Sequence, residues 1–151
     1  MRGRRGSIAI ESLLIAAVGL YFLIMAGRAV MAYGEGSAED ADRIFLMRAT
    51  IEKIYSAVEM LDSCADGSVT TLMIYVPYNS TLRMWGNTIE GNVYQLSREY
   101  RSTGGRTYVY RVSLLRGNFK GTTELAHGWN KIRLVKEGGK VKTEVIWRSV
   151  R

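Results

Sequence analysis

From Ser12 to Gly27 sixteen consecutive residues carry no charge. A helix made of such a run has no polar face to offer water, so it must lie in lipid, in a core, or among other chains. Sixteen residues fall short of the roughly 20 needed to cross a bilayer. Counted from Ile8 to Tyr33 the apolar character covers 26 residues, or about 39 Å at about 1.5 Å per helical residue, which is enough to span. Arg28 falls near one end of that stretch, where a long side chain can snorkel to an interface. Before the stretch stand Arg2, Arg4 and Arg5 with no acid among them. The mean hydropathy of −0.05 conceals this asymmetry, since nearly all uninterrupted apolar sequence precedes residue 34.

Glu11 is the residue that sorts the readings. A signal anchor accounts for the arginines, which stay on the cytoplasmic side. A cleaved secretory signal with Val30-Met31-Ala32 as its small-residue site needs a shorter apolar region, about 7–15 residues. Neither has a use for a carboxylate one helical turn into the apolar stretch. Such a group requires a cation beside it.

Arg4-Arg5-Gly6 followed by Ser7-Ile8-Ala9-Ile10-Glu11 resembles the leader-cleavage site of type IV pilins, most of all their archaeal members. The resemblance covers residues 4 to about 33. It implies cutting after Gly6, which makes Ser7 the new N-terminus and places Glu11 at the fifth mature position. The freshly made Ser7 amine of a neighbouring subunit then supplies the cation, and the pair sets the axial register of stacked helices. The same resemblance implies as partners a prepilin peptidase, an assembly ATPase with its membrane platform protein, and identical or related pilin subunits.

Gly34-Glu35-Gly36 places two helix weakeners around an acid and predicts a bend or local melting. Ser37 to Asp40 reads as an N-cap followed by acids. Ile44, Met47, Ile51, Ile54, Val58 and Leu61 then recur at three and four, one apolar stripe of an amphipathic helix. Asp42, Arg43, Glu52, Lys53, Glu59 and Asp62 fall mostly on the other faces, with Arg48, Glu52 and Lys53 placed for weak surface pairs. Residues 62–67 end the helix in turn-forming types.

After Gly67 the period becomes two. Val69 to Val76 is β-branched and aromatic, and Pro77 stops it. Thr81–Trp85, Ile89, Val93–Leu96 and Arg106–Leu114 follow as short strands, with Gly86-Asn87, Glu90-Gly91-Asn92 and Ser102 to Gly105 as separators. Asn130–Val135 and Val141–Trp147 flank Lys136 to Lys140, the strongest hairpin signal in the chain. The expected class is α+β: a long N-terminal hydrophobic α-helix, then a small antiparallel β-sheet or sandwich head packed on its C-terminal half. The expected divisions are 1–6 leader, 7–33 hydrophobic membrane or filament-core helix, 34–66 amphipathic extension and 67–151 β head. The closing hairpin from Gly128 to Val141 also looks like that of archaeal pilins.

Catalytic chemistry has little to stand on. His127 is the single histidine and Cys64 the single cysteine, which removes His-cluster metal sites, most histidine-based triads and any internal disulfide. Cys64 reads as a small buried hydrophobe and His127 as a loop imidazole. No enzyme activity, cofactor or metal is expected. Asn79-Ser80-Thr81 is an N-glycosylation acceptor triplet. The formal charge of +7 falls to +4 once Arg2, Arg4 and Arg5 leave with the leader. The remainder concentrates late, from Arg98 to Arg151, interleaved with Tyr94, Tyr100, Tyr108, Tyr110, Trp129 and Trp147. That pattern suits a surface polyanion as partner.

The expected function is therefore a structural pilin-like subunit of an extracellular filament, serving adhesion or surface contact. It would be held in the membrane with its N-terminus cytoplasmic before assembly, and lie on the cell surface afterwards. The alternative is an uncleaved single-pass anchored protein whose head binds an anionic polymer.

Overall fold

The computed structural model describes residues 3–97 and 105–149, and side chains within them other than those of 3–16 and 29–35. By contacts the chain forms two compact units, Met1–Ala38 and Glu39–Arg151. Helical backbone, α1, is assigned over Gly3–Asp62. Seven strands follow: β1 (Val69–Val76), β2 (Ser80–Trp85), β3 (Thr88–Val93), β4 (Tyr108–Ser113), β5 (Thr122–Leu125), β6 (Gly128–Glu137) and β7 (Lys140–Arg148). They make a three-stranded sheet in the order β1-β6-β7 and a four-stranded sheet in the order β4-β3-β2-β5. All pairings are antiparallel.

The expected class needs correcting. Side chains of α1 are described in two stretches, 17–28 and 36–62. Among the described residues no helix is long and apolar enough to cross a membrane. The β part is no small appendage either, since its seven strands build two sheets in the second unit. The physical reason lies in the pattern. The uncharged run ends at Gly27, and the stretch after Gly36 is amphipathic, with one stripe to bury and three faces wet. That stripe acts as a third layer of a shared core. The backbone at Gly34 to Gly36, where the sequence predicts a bend or local melting, is helical. Ser37 accordingly caps nothing.

Met47, Ile51, Ile54, Val58 and Leu61 of α1 are buried together with Ile74, Val76, Ile132, Leu134 and Val141 of one sheet. Leu82, Met84, Ile89, Val93 and Leu125 of the other complete the cluster. The helix lies along the open edge of β1, where Thr50 Oγ1 donates to the Tyr75 carbonyl at 2.7 Å and Lys53 Nζ to that of Met73 at 2.8 Å. Edge carbonyls that would invite another strand are thereby occupied. On the four-stranded sheet Gly91 sits under the helix. A Cβ there would come within 2.4 Å of Met47 Sδ and 2.8 Å of Ile51 Cδ1.

This corrects the reading of Glu90-Gly91-Asn92 as a separator. The triplet is the middle of β3, paired with both β2 and β4, and the glycine is there for close approach rather than for a turn. β5 was not legible at all. The hairpin β6–β7 closes on Gly138 and Gly139, both at positive φ, as a two-residue turn of this hand requires. Lys136 of β6 reaches back to the helix end, donating from Nζ to the carbonyls of Asp62 at 2.5 Å and Cys64 at 2.8 Å. An ammonium at a helix C-terminus satisfies orphan carbonyls and opposes the helix dipole.

Candidate assembly segment and head surface

The sequence places assembly on Arg4, Arg5, Gly6, Ser7 and Glu11, whose side chains lie outside those described. The adjoining stretch 17–28 is described. Leu20, Tyr21, Phe22, Leu23, Ile24 and Met25 are consecutive and each at least half exposed, Leu23 reaching 72%. Six consecutive helical residues cover more than one full turn, so apolar surface points in every direction. Tyr21 and Phe22 meet edge to face at 6.3 Å. Full burial of such side chains stabilises by about 1.5–3 kcal/mol each, so covering this group is worth on the order of 10 kcal/mol. A ligand of large apolar area, lipid or protein, is what this segment can bind.

In the second unit the best-built polar site surrounds Arg43. The sequence pattern put Arg43 on an exposed face, but it is buried, as is Asp40. Arg43 Nη2 donates to the carbonyls of Tyr94 at 2.7 Å, Tyr78 at 3.2 Å and Asn79 at 3.3 Å. Its guanidinium lies 4.4 Å from the centre of the Tyr78 ring and 3.6 Å from Asp40 Oδ1. Asp40 Oδ2 accepts from the Ser97 amide at 2.6 Å and from the Ser97 hydroxyl. The Tyr78 hydroxyl donates to Glu39, and that hydrogen bond, with burial and the carboxylate charge, raises the phenol above its ordinary range. The cluster ties α1 to the link between β1 and β2, where the chain leaves one sheet for the other, and to the segment after β3. Sequence spacing could not find it, because its partners are backbone carbonyls 35 to 51 residues away.

Arg48 and Glu52 do not pair with each other. Arg48 donates to the Tyr108 hydroxyl through Nε at 2.8 Å and lies 5.1 Å from the Tyr110 ring. Glu52 accepts from the Tyr110 hydroxyl at 2.7 Å. That bond, with burial and the charge of Glu52, raises the Tyr110 phenol. On β3 burial raises the carboxyl of Glu90. Hydrogen bonds from Arg111, Nε at 2.7 Å, and from Asn92 at 3.1 Å outweigh it and hold the group below the usual carboxylate range.

The late cations are dispersed rather than gathered. Arg111 serves Glu90, Lys120 pairs with Glu137, Lys142 and Arg133 share Glu144, and Lys136 caps the helix. Arg98, Tyr100, Arg101 and Arg151 lie outside the described residues. Asn79 occupies the exposed turn before β2 at φ +48, its amide donating to Gln95 Oε1 at 2.7 Å. Thr81, two residues on, shares its hydroxyl with that of Tyr94 at 3.0 Å. Cys64 is exposed, not a buried hydrophobe, because the helix stops at Asp62 and leaves residues 63–67 in the outer turn. His127 is exposed between β5 and β6 and lines a cleft with Trp129. Among the described residues no group of His, Cys, Asp or Glu is arranged to hold a metal ion. Comparison with protein-family models, curated proteins and solved structures finds no match to this chain.

Proposed function

We propose that the chain is a pilin-like structural subunit, cut after Gly6 and assembled into an extracellular filament through its N-terminal segment. The uncovered apolar surface of residues 20–25 carries this reading. Placed directly after Arg4-Arg5-Gly6 and Glu11, that surface needs a partner of matching area, and copies of the same segment supply one. Before assembly the bilayer takes that place, with the arginines on the cytoplasmic side. Extraction then falls to an assembly ATPase and its membrane platform after a prepilin peptidase has acted. Several of the head's charges pair within it, and on this reading the domain is displayed outward for adhesion or surface contact.

Mass spectrometry of the native protein tests the proposal. A mature chain beginning at Ser7, together with filaments by electron microscopy, is the expected result. A chain that retains Arg2 to Gly6 favours instead an anchored protein whose head holds an anionic polymer. Gly6→Val is expected to abolish processing and filaments while membrane insertion persists, and normal filament yield from that variant would refute the assignment.

A further inference from the structure

We infer that the head carries a carbohydrate-binding cleft lined by Tyr75 and Trp129, with an uncharged pyranose unit of a surface polysaccharide as its ligand. The inference concerns the second unit alone and does not rest on filament assembly. The cleft has a volume of about 400 Å³ and is lined by Tyr75, His127, Gly128, Trp129 and Ser149. That lies within the range of about 300–1,000 Å³ typical of small-molecule sites.

Its shape is built rather than incidental. Tyr75 of β1 and Trp129 of β6 are directly paired across the sheet, and their rings pack on each other at 5.3 Å and 54°, a joined aromatic surface on one side of the cleft. Gly128 adopts φ +106, and a Cβ on it would come within 2.5 Å of the Ser149 carbonyl. The chain after β7 is therefore pressed against the start of β6, and the Ser149 amide donates to the Trp129 carbonyl at 2.9 Å. Asn130, 1% exposed, fixes the loop that bears His127, donating from Nδ2 to the carbonyls of Gly128 at 2.9 Å and Ala126 at 3.3 Å. A cleft held by a buried amide and a left-handed glycine meets its ligand without the cost of ordering loops.

The chemistry of the walls selects the ligand class. Trp129 remains 51% exposed on the central strand of its sheet, where a residue of that size would ordinarily be covered. An aromatic face is electron-rich and attracts polarised C–H groups, and one face of a pyranose presents several of them. The hydroxyl rim of such a sugar calls for hydrogen-bonding groups, which His127 and Ser149 carry. Among the described residues that line the cleft there is no carboxylate, ammonium or guanidinium, which suits an uncharged sugar. Register places Lys131 and Trp147 one row further along the same face, room for a second sugar of the same strand.

Binding of the full-length protein to a printed array of hexose and uronic-acid oligosaccharides, followed by calorimetry with the best neutral hit, tests this. Saturable binding that persists at about 0.5 M salt, where charge contacts are screened, is expected. Trp129→Ala should weaken it about tenfold or more, and Trp129→Phe should recover most of the loss. No saturable binding to any sugar, equal affinity of Trp129→Ala, or binding abolished by salt would each overturn the assignment. The last result would point to a polyanion such as nucleic acid held by surface charge.

Discussion

Replacing Gly91 with alanine isolates one close contact on which the whole second unit is assembled. Gly91 sits in the middle of β3 without a left-handed backbone, so alanine meets no conformational barrier there. An alanine in a strand even gains about 0.5–1 kcal/mol over glycine from chain entropy. Against that gain, the new Cβ would stand 2.4 Å from Met47 Sδ, 2.6 Å from Met47 Cγ and 2.8 Å from Ile51 Cδ1. Overpacking of this kind costs about 1–3 kcal/mol. The thioether of Met47 can rotate away, so alanine should lose about 1 kcal/mol net, and valine, with two further methyl groups to place against the same side chains, about 3 kcal/mol. Denaturant unfolding of the full-length chain in mild detergent, followed by circular dichroism, measures both. A double-mutant cycle with Met47→Ala makes the test specific. Removing Met47 alone opens a cavity and costs about 2–5 kcal/mol, but in its absence Gly91→Ala should become neutral or favourable. Additive costs in the double mutant would refute the steric account of why a glycine is there.

Three further outcomes are expected. Arg43→Met should destabilise the second unit by about 3–5 kcal/mol, since it strands buried Asp40 and three carbonyls, whereas Lys120→Ala at an exposed pair should cost under about 1 kcal/mol; denaturant midpoints compare them. Glu90 contributes stability that is fully present above the unfolded carboxyl pKa, about 4.3, and is lost as pH falls through its lower folded value. Wild type should therefore exceed Glu90→Gln in stability at pH 7 and converge with it in acid, and a pH-independent difference would count against the Arg111 bond as cause. Glu11→Ala should be processed normally yet yield few filaments, scored by mass spectrometry and electron microscopy, and normal yield would remove the register role.

What could be read from the sequence, and what could not, divides along the range of the interactions. The stripe Met47 to Leu61 is buried because its signal is local, a period of 3.6 that only one face can satisfy. The β6–β7 hairpin was equally local, with two glycines between alternating strands. Gly91 misled because a glycine in a strand and a glycine in a turn look alike until the helix lying over it is known. Arg43 misled for the same reason, since an arginine on a helix's polar face becomes interior once loops from two sheets close over it. Cys64 was judged by residue type, whereas its position two residues past the helix end decided its exposure. The Tyr75–Trp129 cleft depends on the pairing of strands more than fifty residues apart, which no window along the chain can reveal.

The distribution of satisfied and unsatisfied groups separates the two units by role. In the second unit a buried arginine has three carbonyls, a buried carboxylate has a serine, the helix end has a lysine, and the open edge of β1 has Thr50 and Lys53. Arg43 Nε and Thr143 Oγ1 are the exceptions, buried with no hydrogen-bond partner among the described residues. Residues 20–25 are the opposite, apolar in all directions and answered by nothing among the described residues of their own unit. A chain built to act alone in water would not keep on the order of 10 kcal/mol of apolar burial uncollected in one segment. On the proposed reading cohesion falls to the N-terminal stretch, which leaves the β-rich unit free to vary its outer face. A substitution on the cleft, such as Trp129→Ala, should therefore leave filament formation untouched, and a filament defect in that variant would show that the head itself takes part in assembly.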